Sequence, residues 1–367
     1  MVRVVIAKKL LSTIGGSEAQ ARALAGALRD RGHQVTLVGL RPVHRRAGVP
    51  QRMYDAPTGD ITFDQDGLTY RFIASRAALV EGLLPVSLIR PHRLHDAVAG
   101  ADIVHCLARE WAGPYERAAR SVGAAFVETP LVHPGQPFSG AGAADIARYA
   151  RDDAVIALTE WEADWYRAHG ARRAIATGVG PILDSPIPTR APDPATILFV
   201  GRKERYKGFD ALRAAAPLVW RERPDARFVA IGQRRFLGPA PLADPRWSEP
   251  GIVSEARKAE AYAQATIFAM PSDHETFGHT YLEAWCAGRP VIAGDIAPLR
   301  EVVREGIDGL HAANEPHAIA DAILALLADP ARATAMGAAG RARSRERFTW
   351  PVIAALTEAA YEAARLA

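Results

Sequence analysis

Apolar residues along this chain gather in short continuous runs, each followed by a polar loop and then by a stretch with apolar positions every three or four residues. "VRVVIA" near the start reads as a buried strand, "LLSTIGG" as a loop and "SEAQARALAGALRDRG" as a helix. In that helix Ala21, Leu24, Ala25 and Leu28 form the apolar stripe, Ser17 is the expected N-cap and Gly32 the stop. "QVTLVGL" is then the next strand, so the first forty residues make a βαβ unit with parallel strands. The alternation returns downstream in "ATILFVG", "RKERYKG", "FDALRAAAPLVWRER" and "ARFVAIG". It returns again in "ATIFAMPS", "DHETFG", "HTYLEAWCAG" and "PVIAG".

Between the two halves lies "PILDSPIPTRAPDPA" (181–195), whose five prolines predict a stiff, extended linker. The pattern therefore predicts two doubly wound, Rossmann-like α/β domains, 1–185 and 186–348, facing across a cleft. Strand carboxyl ends and helix amino ends would supply the ligand site. The tail "FTWPVIAALTEAAYEAARLA" is amphipathic and needs a partner surface. "ITFDQDGLTYRFI" predicts a hairpin turning at Asp66-Gly67. Asp64 and Asp66 also match an Asp-x-Asp metal motif, but the hairpin accounts for them better.

A length of 367 residues, 49% hydrophobic and 23% charged, suits two globular domains. The excess of 45 Lys+Arg over 41 Asp+Glu is too small to argue for nucleic acid, though it is compatible with phosphorylated ligands or a membrane surface. Cys106 and Cys286 sit in apolar segments without metal-ligand spacing and read as buried thiols of a reducing compartment. No run approaches the ~20 apolar residues of a membrane span, and the amino terminus does not read as a signal peptide. The expectation is a cytoplasmic protein whose basic amino-terminal half is compatible with membrane association.

Two glutamates stand out: Glu275 in the approach to a helix that starts near His279, and Glu283 one turn inside it. Helix-end amides favour a phosphate there. A carboxylate would repel that phosphate, so Glu275 is better aimed at sugar hydroxyls and Glu283 at a ribose diol. The competing reading makes Glu275 a cap and Glu283 a solvated helix residue. "GRKERYKG" supplies Arg202, Lys203, Arg205 and Lys207 after a strand, which suits a diphosphate; the alternative is a solvated loop. Gly15 and Gly16 open another helix, without the G-x-G-x-x-G spacing of a nicotinamide site. His133, in the loop after "AAFVET", could bond a phosphate or sugar hydroxyl or move a proton. His105 reads as a satisfied core histidine. Walker, nucleophile-elbow and zinc patterns are missing.

Taken in order, these motifs resemble the retaining GT-B glycosyltransferases of glycosyltransferase family 4, over nearly the whole chain. The strongest match is the E-x7-E signature, Glu275 to Glu283, within "PSDHETFGHTYLEAWCAGRPVIAGDIAPLREVVREGIDGL". The resemblance implies an acceptor-binding first domain, onto which the terminal helix 349–367 packs back, and a second domain that binds the nucleotide-sugar. It implies diphosphate contacts from Arg202 and Lys207, donor-sugar contacts from Glu275 and His133, and a donor-binding glycine loop at Gly15 and Gly16. The amides of Phe277, Gly278, His279 and Thr280 would meet sugar and phosphates, Glu283 the ribose, and the region from Val253 to Lys258 the base. Residues 41–92, which match nothing in the family, are where such enzymes form acceptor sites. The implied activity is metal-independent hexosyl transfer from a nucleoside-diphosphate sugar to a small-molecule, lipid or glycan hydroxyl, without a cofactor. The alternatives are an epimerase or hydrolase of this architecture, or a non-catalytic nucleotide-sugar-binding module.

Overall fold

In the computed structural model, residues 1–9, 11, 15–41, 52, 59–74, 91–133, 139–183, 185–235, 238 and 240–366 are described. They form two units, Met1–Val179 with Trp350–Ala367, and Gly180–Thr349. Of the stretch 41–92, residues 42–51, 53–58 and 75–90 lie outside the described residues, as does much of the loop before Gly15.

The first unit runs β1 (Arg3–Ala7), α1 (Gly16–Asp30), β2 (Gln34–Leu40), β3 (Ile61–Gln65), β4 (Leu68–Ile73) and α2 (Pro91–Val98). It continues through β5 (Ile103–Leu107), α3 (Arg109–Ser121), β6 (Ala125–Thr129), α4 (Ala143–Tyr149), β7 (Ala154–Ala157), α5 (Glu160–Ala168) and β8 (Ala174–Ala176). The sheet order is β3-β4-β2-β1-β5-β6-β7-β8. Every neighbouring pair is parallel except the β3–β4 hairpin. Connections leave β1 in both directions, so the switch point of strand order lies between β1 and β5. β5 is buried at all five positions, as a strand covered on both faces must be.

The second unit runs β9 (Thr196–Val200), a 3-10 turn (Arg205–Lys207), α6 (Phe209–Glu222), β10 (Arg227–Ile231), β11 (Trp247–Gly251), α7 (Glu255–Gln264) and β12 (Ile267–Met270). Then come α8 (His279–Cys286), β13 (Val291–Gly294), α9 (Ala297–Val302), β14 (Gly309–Ala312), α10 (Pro316–Ala328) and α11 (Pro330–Arg347). Its parallel sheet has the order β11-β10-β9-β12-β13-β14, with the switch point between β9 and β12.

The last helix, α12 (Trp350–Arg365), belongs to the first unit. Ile353, Ala354, Ala360, Tyr361 and Ala364 enter its core beside Leu24 and Leu28 of α1. Glu358 accepts from His33 Nε2 at 2.9 Å and pairs with Arg31. Tyr361 OH lies 2.8 Å from His105 Nδ1, and Thr129 Oγ1 lies 2.7 Å from its Nε2. His105 is therefore a satisfied core residue, and burial pushes its pKa down to about 3.

Two local expectations change, and the predicted hairpin is present. α1 begins at Gly16 with Gly15 at its N-cap, so Ser17 lies inside the helix and its hydroxyl donates to Glu18 instead. The units divide between Val179 and Gly180, six residues before 185, because side chains of the second unit already hold Gly180 and Ile182 by their carbonyls. Asp66 (φ 53°) and Gly67 form the β3–β4 turn, and Asp64 accepts from Thr69 Oγ1 at 2.7 Å across the hairpin.

Candidate functional site

Two loops leave the C-terminal ends of β9 and β12, on either side of the switch point, where an open α/β sheet holds its ligand. They are joined to each other. Asp273 N donates to Tyr206 O at 2.7 Å, and Ser272 Oγ lies 3.0 Å from the same oxygen. Between them sits Gly208 (φ 77°), where a Cβ would come within 2.4 Å of Pro271 O; only glycine lets the loops approach this closely.

That junction divides the basic loop. Lys207 forms an ion pair with Glu275, both side chains largely buried. Arg202 donates to Tyr206 OH, and its guanidinium lies 5.8 Å from the Tyr206 ring centre, with Lys207 Nζ 5.3 Å from the same ring. Tyr206 thus gathers two cations at one place. Lys203 is not part of the group: it is 2% exposed and pairs with Glu249 at 3.0 Å, which is where its charge is needed once buried. Arg205 is exposed, as the solvated-loop reading has it.

Glu275 leads into α8. Phe277 is buried with its ring against Phe348, 5.2 Å between centres, which anchors the approach from below. Gly278 (φ 88°) is the N-cap, and a Cβ there would lie 2.4 Å from the Tyr281 ring. The sharp turn this allows presents the first amides of α8, from His279 and Thr280, which have no partner within the helix. Thr280 Oγ1 lies 3.6 Å from Met270 Sδ. His279 Nδ1 donates to Gly180 O at 2.8 Å, so the tautomer is fixed and Nε2 carries a lone pair. Burial lowers the His279 pKa to about 4, so the ring is neutral and its side chain is an acceptor rather than a phosphate-binding cation.

Glu283 is neither a cap nor solvated. It is 3% exposed; Oε2 accepts from Tyr262 OH at 2.7 Å, and Oε1 lies 3.6 Å from Lys258 Nζ. Burial raises its pKa to about 7, against the pull of Lys258 and Tyr262. Burial opposes the charge of Lys258 too, but Glu283 and Glu255 outweigh it and its pKa is raised. Tyr262 is the residue that sequence reading missed. The signal was its i+4 spacing from Lys258, which puts both on one face of α7. Val253 precedes Ser254, the N-cap of α7, whose Oγ accepts from Arg257 N.

Glu275, Glu283, Arg202, Lys207, Val253 and residues 277–280 all belong to the second unit, whereas Gly15, Gly16 and His133 belong to the first. In the first unit the Glu18 carboxylate folds back over Gly15, 3.6 Å from Lys8 Nζ, an anion at the amino end of α1. His133 follows β6, and its carbonyl accepts from Ser139 Oγ. Among the described residues, no helix is long and apolar enough to cross a membrane.

Each unit is thus a doubly wound α/β sheet with a helix amino end beside its switch point, a two-domain α/β architecture. Residues 15–179 match the family described as glycosyl transferase 4-like domain, and residues 194–329 match glycosyl transferases group 1. The chain belongs to glycosyltransferase family 4 and has the GT-B fold of that family. Among its relatives, a D-inositol 3-phosphate glycosyltransferase of Segniliparus rotundus is 33% identical over 184 residues, 47% of this chain and 41% of the relative. An alpha-maltose-1-phosphate synthase of Mycolicibacterium smegmatis is 33% identical over 214 residues, 53% of this chain and 52% of the relative. The matched stretches thus span about half the length of these relatives. Among solved structures, sucrose-phosphate synthase of Thermosynechococcus elongatus superposes with a TM-score of 0.78 at 20% identity, over 99% of this chain and 98% of that one. An Anabaena protein solved in complex with UDP-glucose gives 0.75 at 15% identity, over 98% and 99%.

Proposed function

We propose that this chain transfers a hexosyl group from a nucleoside-diphosphate sugar to an acceptor hydroxyl, with retention of anomeric configuration and without a metal ion. The observation that carries the reading is the meeting of Lys207, Glu275 and the first turn of α8 at the β9–β12 switch point. With Arg202, which shares the Tyr206 ring with Lys207, it offers two cations and helix-end amides for a diphosphate, beside a carboxylate suited to hydroxyl donors. The matched Anabaena protein was solved with UDP-glucose, which supports a nucleotide-sugar donor. The acceptor class is a small molecule, lipid or glycan hydroxyl.

In the reaction proposed, the bond from the anomeric carbon to the diphosphate oxygen breaks. The acceptor oxygen bonds to that carbon on the same face, and its proton passes to the departing diphosphate. Arg202, Lys207 and the α8 amides stabilise the charge that develops on the diphosphate, a contribution realised mainly in the transition state. Fixed positive groups fill the place that a divalent cation would otherwise take. Glu275 positions the sugar through its hydroxyls, and Glu283 accepts from the ribose.

Incubation with UDP-, GDP-, ADP- and TDP-sugars and a panel of polyol, glycan and lipid acceptors tests the proposal. Sugar moved to an acceptor is the expected result. An epimerised donor, free sugar alone, or binding without turnover would support the alternative classes instead.

A further inference from the structure

Glu283 raises a physical problem that the proposed function leaves open. A carboxylate only 3% exposed has little water to stabilise its charge, and a protonated carboxyl is a poorer acceptor for a ribose diol. Its surroundings on α7 answer this. Tyr262 OH donates to Oε2 at 2.7 Å, which fixes the plane of the carboxylate. Lys258 Nζ stands 3.6 Å from Oε1, close enough for charge attraction yet beyond hydrogen-bond length. Oε1 therefore keeps its lone pairs for a hydroxyl donor. The ammonium itself is held by Glu255 Oε2 at 2.8 Å and by Ile182 O at 3.1 Å, so it does not need to collapse onto Glu283.

We propose that Lys258 and Tyr262 are positioning residues for Glu283, holding its carboxylate ionised and turned so that Oε1 accepts a ribose hydroxyl of the donor nucleotide. This rests on the nucleotide-sugar reading above. Lys258 performs a second task at the same time. With His279, whose Nδ1 donates to Gly180 O, it ties the segment Gly180–Ile182 to α8 and α7. Among the described residues, the ionisable groups that face Glu283 are Lys258, Tyr262 and Glu255 from α7 and Cys286 from its own helix. Of these, Lys258 and Tyr262 favour the charged carboxylate, while Glu255 opposes it.

The test is calorimetric titration of the full chain with UDP, GDP and ADP, followed by the 2′-deoxy form of whichever binds most tightly. Wild type should prefer the ribonucleotide by about tenfold or more, the scale of a hydrogen bond to a charged acceptor. That preference should fade as pH falls below about 7, where Glu283 takes a proton. At pH 7.5, Tyr262→Phe and Lys258→Met should bring the preference within about threefold. Lys258→Met should also move its pH midpoint upward, and Lys258→Arg should restore both. Turnover should change less than the donor Michaelis constant. Lys258→Gln, which keeps a donor toward Ile182 O without the charge, replaces Lys258→Met if that variant does not fold. Folded variants that retain the ribose preference and the wild-type pH profile would overturn the positioning role while leaving nucleotide binding intact. Absence of binding by all three diphosphates would overturn the nucleotide reading and this inference with it.

Discussion

Lys207 and Glu275 pair across two loops that leave neighbouring parallel strands, so the cation proposed for the diphosphate and the carboxylate proposed for the sugar neutralise each other. Each has a partner ready before any donor arrives, which lets both stay buried without an isolated charge. Under the proposed function a donor would exchange these partners, phosphate oxygens for Lys207 and sugar hydroxyls for Glu275.

Removing either cation should cost turnover. Arg202→Ala or Lys207→Ala is expected to lower kcat by about two to three orders of magnitude, the scale of losing one oxyanion-type donor. Steady-state kinetics on folded variants check this, and unchanged kcat in both would return the loop to a solvated role.

The two glutamates should separate kinetically. Glu283→Ala is expected mainly to raise the donor KM, because ribose contacts are alike in ground and transition states. Glu275→Ala should mainly lower kcat, because its proposed task is to position the reacting sugar. The same uniform binding defect in both variants would contradict this division.

Much of this arrangement is legible in the sequence, for identifiable reasons. Strands such as β5 and β9 are buried at every position, so they appear as unbroken apolar runs between amphipathic helices. The eight-residue spacing of Glu275 and Glu283 survives because one turn and one short helix connect them. What sequence could not reveal depends on distant partners. Lys203 looks like its neighbours until Glu249, 46 residues away, claims it. The link from Tyr262 to Glu283 is equally non-local. β11 reads "WSEPG", whose Pro250 argues against a strand; it is tolerated because β11 is the sheet edge. Ser17 gave a valid capping signal, but Gly15 and Gly16 moved the helix start two residues earlier than a Ser17 cap would give.

Stability should depend on pH through three buried groups with opposite signs. His105 and His279 have folded pKa values of about 3 and about 4, below their ordinary 6.5. The unfolded chain therefore binds protons first, and stability falls as pH drops from 6.5 through those values. Glu283 has a folded pKa of about 7, above its ordinary 4.5, so its share of stability is largest below 4.5 and is lost as pH rises through 7. Glu283→Gln should accordingly stabilise the ligand-free chain above pH 7, by roughly 1–3 kcal/mol. His105→Gln should flatten the acid limb. Thermal melts from pH 4 to 8.5 check both; a Glu283→Gln variant that melts lower at pH 8 would contradict the first.

Activity should be the same in excess chelator as in magnesium if, as proposed, Arg202, Lys207 and the α8 amides supply the positive charge. Complete loss on chelation, restored by added metal, would contradict that proposal.

Stereochemistry tests the central claim most directly. Inversion needs a general base on the face opposite the leaving group, and double displacement needs a carboxylate nucleophile below the anomeric carbon. Glu275 is paired with Lys207 and assigned to the sugar hydroxyls, and Glu283 is held by Tyr262 beside Lys258, so neither is placed in those roles. Same-face transfer, with the diphosphate accepting the acceptor proton, is what the proposed roles of Arg202 and Lys207 allow. The decisive measurement is the anomeric proton coupling of the first-formed product, by NMR, from an α-linked nucleotide-sugar. An α-linked product is expected; a β-linked product would contradict same-face transfer.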